Sequence, residues 1–450
     1  MDPLIILFIG ITVLVVMIIV LRLNAFIALI TCAMLVSLLS PGEISVKISR
    51  VATEFGNVVG GVGIIIAFAA IIGKCLMDSG AADKIARASL KMLGEKNAST
   101  AIMGSGFLLS IPVFFDTVFY LLVPLARSLC RKTKKNYLLY VTAIVAGGTI
   151  THTLVPPTPG PLFMAAAFGI DLGLMIFVGV LVALPSAIVG LVVCKLLDRK
   201  LKIPMREYST MSEPVPLKEE ELPSLWLSLL PIVLPVLLIT SNTLAKGINA
   251  PVDFLEITGL VGHPVFALFV SMVISMYLLV SKRSLTLRQL SGKVEEALLS
   301  GGMIILVTAG GGAFGAMLRQ AGLQESVASW VTVDEQGIGL SILLIAFAVA
   351  SLIKFAQGST TVALITSASM FSAMGLSNET LGFNLVYMAT ALGSGAMVGD
   401  WMNNSGFWIF SRMSVLTEIE TLKSWTVVTA CIGFCSITVT LILATLLPMT

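Results

Sequence analysis

The chain has 450 residues, of which 57% are hydrophobic and 12% charged, with a net charge of +3. A soluble body of this length needs a charged shell that these side chains cannot supply, so a water-soluble globular fold is excluded. So small a positive balance gives no reason to expect a nucleic-acid partner.

Apolar runs of about 17–25 residues, enough to cross ~30 Å of hydrocarbon, recur from end to end. Ten spans are predicted, at 3–21, 24–40, 57–78, 138–168, 174–197, 225–245, 264–281, 300–319, 383–410 and 424–447. The first begins MDPLII, without the basic region or cleavage site of a secretory signal. Two more apolar stretches, 99–127 and 338–375, carry polar patches and read as re-entrant hairpins. The most polar stretch, 198–224, divides the chain into a first repeat (1–197), a cytoplasmic linker and a second repeat (225–450).

The halves share a plan. PVFFDT from Pro112 and KFAQGSTT from Lys354 begin 242 residues apart. HTLVPPTPGP from His152 and GDWMNNSG from Gly399 break two later spans at a similar offset, 247 residues. At the first offset, residues 73–86 and 315–328 align without gaps, with four identities in fourteen positions. Broken apolar segments at matching places point to a transporter with its site at the bilayer midplane. Five spans per half is an odd number, so the second half enters the bilayer upside down. The expected fold is therefore an all-α polytopic membrane protein of two inverted five-span repeats, each with a re-entrant hairpin and a broken transmembrane helix. With the N-terminus outside, 22 of the 28 Lys and Arg fall in cytoplasmic loops, four outside and two in spans. The positive-inside rule thus places both termini on the outer face.

The chemistry is expected at the breaks. Helix N-termini there offer unpaired N–H groups and about half a positive charge each, a cradle for a carboxylate. Thr117, Ser359, Thr360 and Thr361 add hydroxyls, and Gly358 lets the backbone approach closely. Asp116 is an acid amid apolar flanks, costing roughly 2.5–3.5 kcal/mol at a helix centre, and is a candidate for proton coupling. Asp400 is a second intramembrane acid, and His152 a candidate relay. Each has a blander alternative: hydroxyls bonding back to their own helix, or a histidine that is only structural. Lys354 could meet the substrate, pair with an acid or snorkel to the interface. Asn403, Asn404 and Ser405 suit a polyhydroxylated ligand. Pro156, Pro157, Pro159 and Pro161 shape the first break.

GGGAFG from Gly310 imitates a nucleotide loop, but it lies inside an apolar span, where close helix packing through small residues explains it better. The six cysteines show no disulfide or metal spacing, and neither cofactor nor metal is expected. With no nucleophile elbow, an enzyme is not expected either. A channel would not need two occluding hairpins.

Several of these motifs resemble the gluconate permease family of bacterial proton symporters: FFD ending at Asp116, LLVPL from Leu121, VPPTPGP from Val155, GGGAF from Gly310, GSTTVAL from Gly358, GFW from Gly406 and TLKSW from Thr421. The resemblance runs over nearly the whole chain. It implies a multi-pass protein of the bacterial inner membrane that imports gluconate or a related small hydroxy acid with protons. It also implies a homodimer and an elevator-like movement of the hairpin-bearing part. On this reading of the residues Thr117, Ser359, Thr360 and the helix ends would hold the carboxylate. Thr158, Asn403 and Asn404 would read the hydroxyls, and Asp116 with Asp400 or His152 would carry the proton. Where the family has Glu in the first hairpin, His after the two prolines and an Asn-Asp pair, this chain has Asp116, Thr158 and Asn403-Asn404. Those departures leave open a D-serine or glycerate type of permease, and a sodium-coupled or exchanging carboxylate carrier of the wider superfamily.

Overall fold

A computed structural model describes residues 2–208, 217–248, 250–322 and 337–449. Among the described residues every regular element is a helix. In the first half these are α1 (Pro3–Val15), α2 (Ala25–Leu39), α3 (Ser49–Val58), α4 (Ile64–Asp78), α5 (Ala81–Leu93), α6 (Ala98–Leu109), α7 (Phe115–Thr133), α8 (Tyr137–Leu154), α9 (Pro159–Phe168) and α10 (Leu172–Leu201). In the second they are α11 (Leu225–Gly247), α12 (Val252–Val261), α13 (Pro264–Arg283), α14 (Leu287–Gln320), α15 (Gly337–Gln357), α16 (Thr360–Ser372), α17 (Asn378–Leu381), α18 (Val386–Gly395), α19 (Ser405–Met413), α20 (Glu418–Thr421) and α21 (Val427–Leu446).

Among the described residues, eight helical stretches are long and apolar enough to cross a membrane: Ile44–Asp78, Tyr137–Phe168, Leu172–Leu201, Leu225–Gly247, Pro264–Arg283, Leu287–Gln320, Gly339–Gln357 and Glu418–Leu446. This departs from the expected spans in three ways. α1, continued by the π-helical turn Val16–Val20, nearly fills its expected span, but α2 is apolar and only 15 residues long. The span expected at 300–319 starts at Leu287, because nothing in 287–299 breaks a helix. Finally α15, expected as a hairpin arm, has 21 residues, about 31 Å of helix at 1.5 Å per residue. Neither proline nor charge interrupts it before Lys354. α10 runs on to Leu201, into the stretch read as linker. Part of the linker (209–216) and part of the aligned segment (323–328) lie outside the described residues.

Each expected break has a local cause. Val155 to Thr158 stops α8, and Pro159 opens α9 at its first turn, where a missing N–H costs nothing. Gly358 and Gly399 take φ of +87° and +86°, a left-handed turn that side chains resist. Ser359 and Asn404 then cap α16 and α19, accepting from Val362 N (3.4 Å) and Gly406 N (2.8 Å).

Packing repeats between the halves. α6 lies on α8 as α15 lies on α18, and α8 on α10 as α18 on α21. At the centre the partners cross over: α16 packs on α9, and α7 on α19, so each hairpin arm meets the broken helix of the other half. Small residues permit the closest approaches. A Cβ on Gly147 would stand 2.0 Å from the Met103 carbonyl of α6. One on Gly311 would stand 2.1 Å from Ile365 of α16, which gives GGGAFG its place in helix packing. A second group forms around α14 and α4, which pack on each other: α2 and α3 lie on α14, and α13 on α4.

Candidate functional site

The crossing of hairpins and broken helices leaves a cavity of about 490 Å³. Three helices start at its wall: α7 at Phe115, α16 behind Ser359, and α19 behind Asn404. Each start supplies unpaired N–H groups and about half a positive charge. The volume falls in the range of small-molecule sites.

Eight of the eleven predicted site residues line this cavity: Asp116, His152, Ser359, Thr360, Asp400, Asn403, Asn404 and Ser405. Three do not. Thr158 is 3% exposed, and its Oγ1 donates back to the Val155 carbonyl at 2.7 Å, the local bond favoured by a hydroxyl at a helix start. Thr117 lines a separate cavity, because it follows Asp116 by one residue and a helix turns about 100° per residue. Gly358 packs directly on Asn403, where an added Cβ would stand 2.1 Å from the carbonyl oxygen.

The two acids differ in their surroundings. Asp400 is 3% exposed, with its Oδ1 3.2 Å from Lys354 Nζ, and the Lys354 side chain has no exposure at all. Asn404 Nδ2 donates to the same carboxylate. Lys354 also donates to the Gly358 carbonyl and, at 3.0 Å, to Thr360 Oγ1. This cation is therefore internal to the second tip, and snorkelling is ruled out. Asp116 has only the Ser405 hydroxyl, which donates to its Oδ2 at 3.4 Å, and no ion pair among the described residues. With Asp400 neutralised by Lys354, Asp116 is the uncompensated acid of the cavity.

The asparagines are mostly occupied by the fold. Asn403 Nδ2 donates to the carbonyls of Lys354 (3.2 Å) and Phe355 (2.6 Å), clamping the end of α15 to the second break. Asn404 caps α19 while holding Asp400. Their amides shape the wall.

Two groups wait for a partner. Nδ1 of His152 and Nε1 of Trp425 are buried without a hydrogen bond, and both residues line the cavity. Buried polar atoms are normally paired, so orphans at a cavity wall call for a polar ligand or water. Trp425 was missed by sequence reasoning, as were Thr149, Thr153, Gln357 and Thr429. Thr149, His152 and Thr153 stand at i, i+3 and i+4 on one helix face, a spacing that could have found them. Trp425 lies in a π-helical turn, Leu422–Thr426, which sequence spacing does not reveal.

The family model of the GntP family permeases matches residues 2–447. The chain is 32% identical over 431 residues to the Gnt-II system L-idonate transporter of Escherichia coli, covering 94% of this chain and 95% of that one. It is 30% identical over 442 residues to a high-affinity gluconate transporter of the same organism, covering 97% and 98%. An uncharacterized permease of Haemophilus influenzae is 36% identical over 437 residues, covering 93% of this chain and 87% of that one. The fold is similar to that of the YdaH transporter of Alcanivorax borkumensis, at a TM-score of 0.66 and 15% identity, covering 94% and 98%. It is equally similar to MtrF of Neisseria gonorrhoeae, at 0.67 and 15%, covering 94% and 95%. Full-length family match, apolar helices long enough to span a bilayer, and a cavity where three helix starts and several polar side chains meet agree: the chain belongs to the GntP permease family, multi-pass membrane transporters and not enzymes.

Proposed function

We propose that this protein imports a small hydroxylated monocarboxylate, gluconate or a related sugar acid, by proton symport through two inverted repeats with both termini outside. The observation that carries the reading is the meeting of three helix N-termini around a cavity holding one uncompensated acid. The N-termini favour a carboxylate. Ionised Asp116 opposes one, because two like charges in a low-dielectric site repel. Substrate and proton are then favoured together and disfavoured singly, which is the requirement of a symporter. Ser359 and Thr361 stand beside the carboxylate, and His152 Nδ1 and Trp425 Nε1 take the hydroxyl end. The names of the relatives, gluconate and L-idonate transporters, support a sugar acid.

The test is uptake of labelled gluconate into proteoliposomes with an inward proton gradient and no sodium. Accumulation that collapses with a protonophore is expected, and Asp116→Asn should lose it while keeping substrate exchange. Uptake driven only by a sodium gradient, or normal accumulation by Asp116→Asn, would refute proton coupling through this residue.

A further inference from the structure

A second cavity of about 400 Å³ adjoins the first, and Phe114 lines both. One wall is the tip of the first hairpin, Pro112 to Phe114 with Thr117; the other is made by α4 and α14. Phe114 precedes α7, and its ring meets His152 edge-on at 5.9 Å between centroids. On the far wall Lys74 Nζ lies 3.2 Å from Asp78 and 2.9 Å from Glu296. Lys293 lies 3.4 Å and 3.5 Å from the same two acids, closing a neutral quartet across the two helices. By the positive-inside reading this end of α4 and α14 faces the cytoplasm.

We infer that this second cavity is the cytoplasmic antechamber of the transport path, with Phe114 as the partition and Lys74 as a transient site for the substrate's carboxylate. The inference rests on the proposed import of a monocarboxylate. A carboxylate leaving three helix N-termini for water meets an apolar ring and then a cation. An unpaired lysine would hold it there. Lys74 is instead already bound, and the side chain of Glu296 is 54% exposed, so it can be released to water as the substrate takes its place. Exchange of one partly solvated ion pair for another is nearly balanced, which suits a passage and not a trap. The quartet therefore sets how long the substrate stays after the partition opens.

The experiment places a thiol in the antechamber with Ser300→Cys, an exposed position on its wall. Inside-out membrane vesicles present the cytoplasmic face to a membrane-impermeant maleimide, with gluconate as the probe. Four of the six native cysteines are buried and two half-buried, so background labelling is low. Saturating gluconate should slow labelling about fivefold, the scale of one partly exposed ion pair. Lys74→Gln should abolish that protection, Lys74→Arg keep it, and Glu296→Gln, which frees Lys74, strengthen it. Equilibrium binding of labelled gluconate to purified protein is measured alongside. Absence of binding by the parent would overturn the import reading and this inference with it. Binding without protection, protection indifferent to Lys74 and Glu296, or labelling only from the outer face would overturn the antechamber alone.

Discussion

Replacing Lys354 with methionine removes one member of a fully buried pair and leaves Asp400 beneath the second hairpin tip. At 3.2 Å, unit charges attract by about 5 kcal/mol at an effective dielectric of ~20. Desolvation of both groups opposes that gain, so the pair as a whole adds little. Breaking it is another matter: an orphaned buried charge costs about 3–5 kcal/mol. The Gly358 carbonyl and the Thr360 hydroxyl lose their donor in the same change. For a chain of this length about 1–2 °C accompanies each kcal/mol, so Lys354→Met should lower the melting midpoint by roughly 3–10 °C. Lys354→Met combined with Asp400→Asn removes both charges and should recover most of that loss. Thermal unfolding in detergent measures Lys354→Met, Asp400→Asn and the double variant, with tryptophan fluorescence as the signal. Trp401 reports locally, since it stacks on Phe355 at 5.3 Å and donates to the Phe355 carbonyl at 2.9 Å. If the double variant loses the sum of the two single losses, the charges are not coupled and the account of the second tip is wrong.

Gly358→Ala should abolish uptake and destabilise the tip by about 1–3 kcal/mol, since a positive φ and a backbone oxygen 2.1 Å away both exclude a methyl group; transport and melting of the variant check this. Trp425→Phe should raise the KM for uptake about fivefold or more, because the otherwise unpaired Nε1 would no longer donate to the proposed substrate. Thr158→Val, whose hydroxyl is satisfied outside the cavity, should leave KM within about twofold, and equal effects of the two substitutions would contradict this placement of the ligand. At the N-terminal end of α5 the hydrogen bond from Lys84 holds the Glu219 carboxyl below the usual glutamate range. A lowered pKa stabilises docking of the linker above the ordinary carboxylate range, and that contribution is lost as the pH falls through the folded value. Limited proteolysis at Lys218 should therefore quicken on acidification, and Glu219→Gln should be cut quickly at neutral pH.

The breaks were legible because they are made of punctuation. Prolines at 156, 157, 159 and 161, glycines at 358 and 399, and an acid at 116 have no other easy reading inside apolar runs. Their offset told which break answers which. Orientation of single side chains was less legible. Thr117 and Thr158 have the right chemistry, yet one faces a neighbouring cavity and the other its own backbone. Asn403 and Asn404 looked like ligand readers, but the break they stand in has loose carbonyls and N–H groups of its own to satisfy. The pairing of Lys354 with Asp400 spans 46 residues and depends on how two tips meet, which periodicity cannot report. Trp425 entered the site from a helix that sequence pattern marked only as a closing span.

Crossed packing also has a consequence in time. Asp116 finds the Ser405 hydroxyl 289 residues further along the chain. At about 5–20 residues per second, synthesis takes roughly 15–60 s to cover that distance. For that interval the first hairpin and the first broken helix sit in the bilayer beside lipid or machinery, with a carboxyl group and several open backbone groups unshielded. The nascent first half thus has to be held, by insertion factors or by remaining near the aqueous face, until its counterpart emerges. A ribosome stalled between the two halves would leave in the membrane a fragment with a polar wound at its centre, ready for recognition by membrane proteases.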